Sequence, residues 1–134
     1  MEKIVLTQTQ EDYTITLTAC LINKDLLLTI TGGDVPHIGT VTTYTQETHT
    51  TECIRFPSHD GRFHKDDVLA TRVLKNIQAA LPGNCVITVG VHVNHITPSQ
   101  IRASFIMVNN LSSQLYTWLT KPHSFTDPVY YPAK

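Results

Sequence analysis

The sequence predicts an α+β fold, with a mostly antiparallel sheet of about five strands and two helices packed on one face of that sheet. Two observations lead to this prediction. Apolar and polar side chains alternate over much of the first half of the chain, which is typical of half-buried strands. Two later segments carry apolar residues at helical spacing, and a strand-like run separates them.

The predicted strands of the first half follow one another without a helix between them. Residues 13–22 alternate between an apolar face and a threonine-rich face, and a two-residue link leads to a second strand over 25–31. Residues 38–55 are rich in threonine, valine and isoleucine and predict two further strands around a polar turn. We therefore expect an antiparallel sheet that grows by consecutive pairing of its strands.

The first helix is predicted over residues 65–81. It places Leu69, Val73 and Ile77 on one stripe, which we expect to pack on the sheet face that bears the apolar residues of strand 13–22, namely Tyr13, Ile15 and Leu17. A further strand is predicted over 84–93, since that run is apolar and β-branched.

The second helix is expected to follow Thr97. Pro98 suits the first helical position and Gln100 completes a capping box with the Thr97 hydroxyl. The adjacent Asn109 and Asn110 are weak helix formers and leave open a break in this helix. From about residue 122 the chain is rich in proline, and we expect an irregular tail.

Composition excludes several classes of protein. A chain of 134 residues predicts a single domain, 1–134, that can bury a core without disulfides. The net charge of -1 argues against nucleic-acid binding, and the first residues hold no apolar run that could serve as a signal peptide or membrane helix. Three widely spaced cysteines favour reduced thiols and a cytoplasmic location. Nothing in the composition decides whether the chain forms a homodimer.

Three short stretches place glycine beside histidine where a predicted element begins or ends. They are GGDVPHIGTV at 32–41, FPSHDGRFHKDD at 56–67 and GVHVNHI at 90–96. Binding sites are commonly built at such ends. An exposed histidine at a sheet edge is the simpler explanation of any one of them, whereas their recurrence favours a shared site. One histidine from each stretch could ligate a divalent metal ion, although zinc-finger spacings are absent; these are His37, His64 and His92.

The second stretch also offers an anion site. Backbone N–H groups at the start of a helix can bind a phosphate, with Arg62 and Lys65 beside them. Asp66 and Asp67 oppose this, because they already satisfy the helix dipole, unless they help to bind a cation that bridges to the phosphate. Taken alone, this stretch is explained more simply as a capped helix with surface charges. The sequence contains no nucleophile elbow, P-loop or dinucleotide fingerprint.

In this order and at these intervals, the three stretches resemble the small D subunit that is encoded with bacterial gallate decarboxylases. Related small proteins accompany other UbiD-type decarboxylases. The resemblance covers roughly residues 13–122. It implies an accessory protein that binds prenylated FMN, a cofactor made by a separate flavin prenyltransferase. It also implies that the protein helps the cofactor to reach the large catalytic subunit of the decarboxylase.

The resemblance also selects residues for contact with the cofactor, and none for catalysis. Together with the charge of Arg62, it predicts the following cofactor-binding set: Gly32, Gly33, His37, Gly39, His59, Arg62, His64, Lys65, His92 and Asn94. The matched positions further include Asp60, Asp66 and Gly90. From residue chemistry, we expect the glycines to admit close backbone approach and the histidines to bind oxygens or a bridging metal. The threonine-rich sheet face, with Tyr44 or Phe63 near it, could cover part of the flavin.

Two other functions stay open at this point. One is a small metal enzyme with the three histidines as ligands and Asp60 or Asp66 as general base. The other is a purely structural subunit that stabilises the decarboxylase. An accessory flavin-binding protein is favoured, because a carrier needs an anion site, a surface for the ring and an affinity low enough for release.

Overall fold

The computed structural model describes residues 1–57 and 66–133, and it confirms the predicted α+β class. Six strands form one sheet: β1 (Glu2–Gln10), β2 (Tyr13–Ile22), β3 (Asp25–Gly33), β4 (Thr40–Thr45), β5 (Thr50–Arg55) and β6 (Cys85–His92). The helices are α1 (Asp67–Ile77), which continues into a short 3-10 turn (Gln78–Ala80), and α2 (Pro98–Leu119).

The order of strands across the sheet is β1-β2-β3-β6-β4-β5. β6 lies parallel to β3 and antiparallel to β4, and the other neighbouring pairs are antiparallel. The expectation of consecutive pairing is therefore wrong at one place, since β6 inserts between β3 and β4. The loop that joins β3 to β4 must consequently cross the end of β6.

β1 is the strand that the sequence prediction does not contain. It pairs with β2 from Glu2 to Gln10, at the edge of the sheet. On its helix-facing side Glu2 is exposed and the other four side chains are only partly buried; these are Ile4, Leu6, Gln8 and Gln10. Because the apolar alternation fades halfway along this edge strand, its periodicity gives little sequence signal.

Both helices pack on one face of the sheet, α1 over β4 and β6 and α2 over β1 and β2. The predicted stripe of α1 is buried in the same core as the predicted face of β2; its members are Leu69, Val73 and Ile77. The stripe and the face are thus correct, although α1 lies over other strands of that face. The Thr97–Gln100 capping box is confirmed, and α2 runs without a break through Asn109 and Asn110.

The opposite surface of the sheet, which we call the open face, is rich in threonine. Its central threonines are half-buried by their neighbours on the sheet; they are Thr16, Thr18, Thr29, Thr31 and Thr88. The β3–β4 loop, residues 34–39, lies over this face at one end of β6. None of the described helices is long and apolar enough to cross a membrane.

The tail from residue 121 to 133 contains no helix or strand, but its first part is held against the sheet. Thr126 N donates to Asn23 Oδ1 at 2.7 Å, and Asn23 Nδ2 donates to the Thr126 carbonyl at 2.8 Å. His123 Nε2 donates to the Trp118 carbonyl at 2.8 Å, and its Nδ1 contacts the Glu2 carboxylate. The pKa of His123 is raised, mainly by the bond to Trp118 and further by Glu2.

Candidate functional site

The candidate site lies where the β3–β4 loop crosses the end of β6. Gly39 N donates to the Val89 carbonyl at 2.8 Å, and Asp34 N donates to the His92 carbonyl at 2.7 Å. These two bonds attach both ends of the loop to β6. The first and third sequence stretches are therefore packed directly against each other at one end of the sheet, where β3 and β6 terminate.

Two glycines make this packing possible. A Cβ at Gly90 would overlap the carbonyl group of His37, so the loop backbone rests where a side chain would stand. A Cβ at Gly33 would lie 2.6 Å from the carbonyl carbon of His92, and the φ of Gly33 is +79°. Each glycine thus faces the histidine of the other stretch, which explains in part why glycine and histidine recur together.

The imidazole of His37 is half-buried and held by its own loop. Its Nδ1 lies 2.8 Å from the Val35 carbonyl oxygen. Because a carbonyl only accepts hydrogen bonds, Nδ1 carries the proton of the neutral ring and Nε2 carries the lone pair. The ring orientation is fixed by this bond, and Pro36 restricts the backbone just before His37. The acceptor or metal-binding atom of the neutral ring is therefore Nε2, which is itself buried.

His92 and Asn94 extend the site along the end of β6, and both are exposed. Asn94 N donates to Asp34 Oδ2 at 2.8 Å, which adds a side-chain link to the backbone bond between Asp34 and His92. Asp34 thereby fixes the spacing of the two strand ends, a role that the sequence prediction misses. The available signal is an aspartate directly after a strand-ending glycine pair, a position at which its carboxylate readily caps backbone N–H groups.

The first and last residues of the second stretch, Phe56 and Asp67, are described and lie at the same end of the sheet. Phe56 N donates to the Gly39 carbonyl at 2.8 Å, and Arg55 Nη2 donates to Asp67 Oδ2 at 2.9 Å. The three stretches thus converge as far as the described residues extend. Several predicted site residues fall outside those residues, and their roles stay predictions; these are His59, Asp60, Arg62, Phe63, His64 and Lys65.

Apolar side chains border the site and are open to solvent. Val35 is 51% exposed, Ile38 is 56% exposed and Phe56 is 45% exposed. Phe56 is an aromatic residue that the prediction overlooks. The predicted Tyr44 is wrong as a cover for the flavin, because it is 3% exposed and faces the helices, where its hydroxyl lies 2.7 Å from His49 Nδ1.

The described residues contain no group of three or more histidine, cysteine or acidic side chains placed to hold a metal ion. His64 lies outside them, so the predicted triad of His37, His64 and His92 is not decided by that finding. Cys85 is 1% exposed, and burial raises its pKa to about 12. Its sulfur is a neutral thiol near pH 7 and is unsuited to act as a thiolate ligand or nucleophile.

Comparisons with known proteins show the family of this chain. The model of the prenylated flavin chaperone LpdD-like domain matches residues 9–120, which include the whole described site. Protein LpdD of Lactiplantibacillus plantarum is 47% identical over 126 residues, covering 93% of this chain and 92% of that protein. A chain in the crystal structure of a chaperone complex for yeast 20S proteasome assembly is similar with a TM-score of 0.48 and 9% identity, over 82% of this chain and 96% of that one.

Proposed function

Because the chain belongs to the prenylated flavin chaperone family with LpdD-like domains, we propose that it binds prenylated FMN where β3, β6 and β4 meet. It would then pass the cofactor to the large subunit of a UbiD-type decarboxylase that acts on a gallate-like aromatic acid. The reciprocal packing of Gly33 on His92 and of Gly90 on His37 is the observation that supports this site. It brings two of the three stretches together and fixes the backbone of a histidine from each.

The residues at this end of the sheet suit a phosphorylated aromatic ligand. The imidazoles of His37 and His92 can donate to phosphate or ring oxygens when protonated, and His37 can accept through Nε2 when neutral. The exposed Val35, Ile38 and Phe56 offer apolar area to a planar ring. Arg62 and Lys65 are proposed as further phosphate contacts on the basis of their charge and place in the sequence.

A site open to solvent also suits a carrier. A chaperone has to release its ligand, so partial enclosure and moderate affinity serve it better than a closed cavity would. The chemistry of decarboxylation belongs to the large subunit, and we propose no catalytic residue in this chain. A bridging divalent metal ion at His37, His64 and His92 stays a prediction that metal analysis of the purified protein would test.

The decisive experiment is an absorbance spectrum of the protein purified anaerobically from cells that also make the flavin prenyltransferase. We expect bound prenylated FMN, and we expect the loaded protein to activate the apo form of the large subunit. Protein from cells without the prenyltransferase is the control. A protein that carries no flavin and activates nothing would contradict the proposal, while activation without bound flavin would favour a purely structural subunit.

The phosphate of the cofactor should contribute strongly to binding. We expect prenylated FMN to bind roughly ten- to a hundredfold more tightly than its dephosphorylated form, because a charge-assisted hydrogen bond typically contributes about 1.5–3 kcal/mol. Anaerobic titration that follows the flavin absorbance would measure both affinities. Equal affinities for the two forms would show that the protein does not recognise the phosphate.

The imidazole of His37 should serve the ligand more than the loop. His37→Asn keeps a polar side chain that tolerates turns, so we expect a stability change of at most about 1 kcal/mol. Because the ring is already oriented by its bond to the Val35 carbonyl, its loss should weaken flavin binding at least tenfold, as expected for a pre-organised contact.

The matched control is His49→Asn in the β4–β5 turn, at the other end of the sheet. His49 has a φ of 56°, which asparagine tolerates well, and its bond to Tyr44 is far from the crossing. This variant should bind the flavin like wild type. If His37→Asn also binds like wild type, His37 does not belong to the site.

A further inference from the structure

Two rows of side chains cross the open face from β1 to β5. The strand registers define the first row as Lys3, Cys20, Leu27, Val86, Thr43 and Glu52. They define the second row as Val5, Thr18, Thr29, Thr88, Val41 and Ile54. The first row has an apolar centre and carries opposite charges at its two ends. The second ends on both sides in an exposed aliphatic residue, Val5 at 61% and Ile54 at 63%.

These rows are self-complementary about a two-fold axis that runs parallel to the strands. Rotation about such an axis turns the open face of a second copy toward the first and reverses the order of its strands, while each row keeps its level along the strands. Lys3 then faces Glu52 of the second copy, and Val5 faces its Ile54. An axis across the strands would instead place like charges together, so the charges select the first arrangement.

The open face is also large enough for a stable interface. Five spacings of about 4.8 Å separate the outer strands, and strands of this length cover roughly 20–30 Å, which gives roughly 600 Å² per copy. The total reaches the range of specific interfaces. Half-buried Leu27 and Val86 lie at the centre of the first row and the charged Lys3 and Glu52 at its ends, which is the usual distribution across protein interfaces.

We propose that two copies of this chain pack open face to open face as a β-sandwich homodimer, with the helices outside and two Lys3–Glu52 pairs at the rims. Sheets packed in this way stay aligned within about 30°. The His37 loop lies over the open face at Gly90, two residues beyond Thr88 of the second row. Because the axis follows the strands, the candidate sites of both copies lie at the same end of the dimer. This proposal rests on the strand registers and is independent of the proposed cofactor.

The first test is sedimentation equilibrium of the full chain and of Ile54→Glu. Wild type should be dimeric at micromolar concentration, and Ile54→Glu should weaken the dimer at least a hundredfold, because each copy would place a carboxylate against an apolar side chain. At a concentration low enough to dissociate wild type as well, the variant should melt like wild type, since Ile54 is 63% exposed in the single chain. The matched control, Ile106→Glu, lies on α2, is 48% exposed in wild type and should leave the dimer intact.

The second test is a charge reversal across the axis. Lys3→Glu and Glu52→Lys should each weaken the dimer about tenfold, because each variant opposes like charges twice, and the double variant should recover to within about threefold of wild type. A wild-type monomer at about 100 µM would overturn the proposal. So would an Ile54→Glu dimer of unchanged affinity, a double variant no better than the single ones, or an open face protected from hydrogen exchange only when the large subunit is added.

Discussion

Val73→Asp should lower the free energy of unfolding by at least about 3 kcal/mol, a large part of the stability of a domain of this size. Val73 is fully buried at the centre of α1, in the core between the helices and the sheet. A carboxylate there would lose its water without gaining a partner, or would take up a proton at a cost in free energy. Urea unfolding followed by circular dichroism would measure the change.

The same substitution five residues earlier in α1 is the control. Val68 is 50% exposed and lies in the first turn of α1, where an acidic side chain interacts favourably with the helix dipole. Val68→Asp should therefore change stability by no more than about 0.5 kcal/mol. If Val73→Asp unfolds together with wild type, or if both variants lose the same stability, the buried stripe of α1 is assigned wrongly.

The elements that could be predicted are those in which periodicity and local chemistry agree. β2 alternates from Tyr13 to Ala19, and α1 and α2 bury residues at helical spacing. The start of α2 could be placed because Thr97 and Gln100 cap it through contacts that are local in sequence. β1 could not be recognised, since an edge strand buries little and its polar glutamines blur the alternation.

The topology could not be read from the sequence for a different reason. Alternation indicates which face of a strand is buried but not which strands are neighbours. The insertion of β6 between β3 and β4 depends on contacts between residues far apart in the chain. Tyr44 is assigned to the wrong face of the sheet for the same reason. Only the pairing of β4 with β6 shows that its side chain lies beneath the helices.

The sequence predicts that the glycine–histidine stretches lie together, and the first and third do so among the described residues. It does not predict the structural role of their glycines. Glycine was expected to admit the ligand. In the structure, Gly33 and Gly90 admit the backbone of another segment of the same chain. Gly32 is similarly confined, since its Cβ would lie 2.9 Å from the Thr14 carbonyl oxygen. Such long-range contacts have no local signature, which is why Phe56 was overlooked as well.

Gly90→Ala should damage both the fold and the site. Its methyl group would occupy the position of the His37 carbonyl, and the loop is held there by the bonds of Gly39 and Asp34 to β6. Either these bonds or the end of β6 must shift, which we expect to cost roughly 2–4 kcal/mol. The displaced His37 should weaken flavin binding at least tenfold at a temperature where the variant remains folded.

Thr88→Ala is the control for Gly90→Ala. It changes the open face close to Gly90 without an overlap between a new methyl group and the His37 carbonyl. Thr88 precedes Gly90 on the same face of β6 and is half-buried, so its truncation removes atoms without creating an overlap. It should cost at most about 1 kcal/mol and leave flavin affinity within about threefold of wild type. Thermal melts and anaerobic titrations of both variants would decide the matter. Wild-type stability and affinity in Gly90→Ala would show that the loop does not depend on close approach to β6. If Gly90→Ala lost much stability but kept its flavin affinity, the contact between the β3–β4 loop and β6 would not be part of the binding site. The flavin would then bind elsewhere on the molecule.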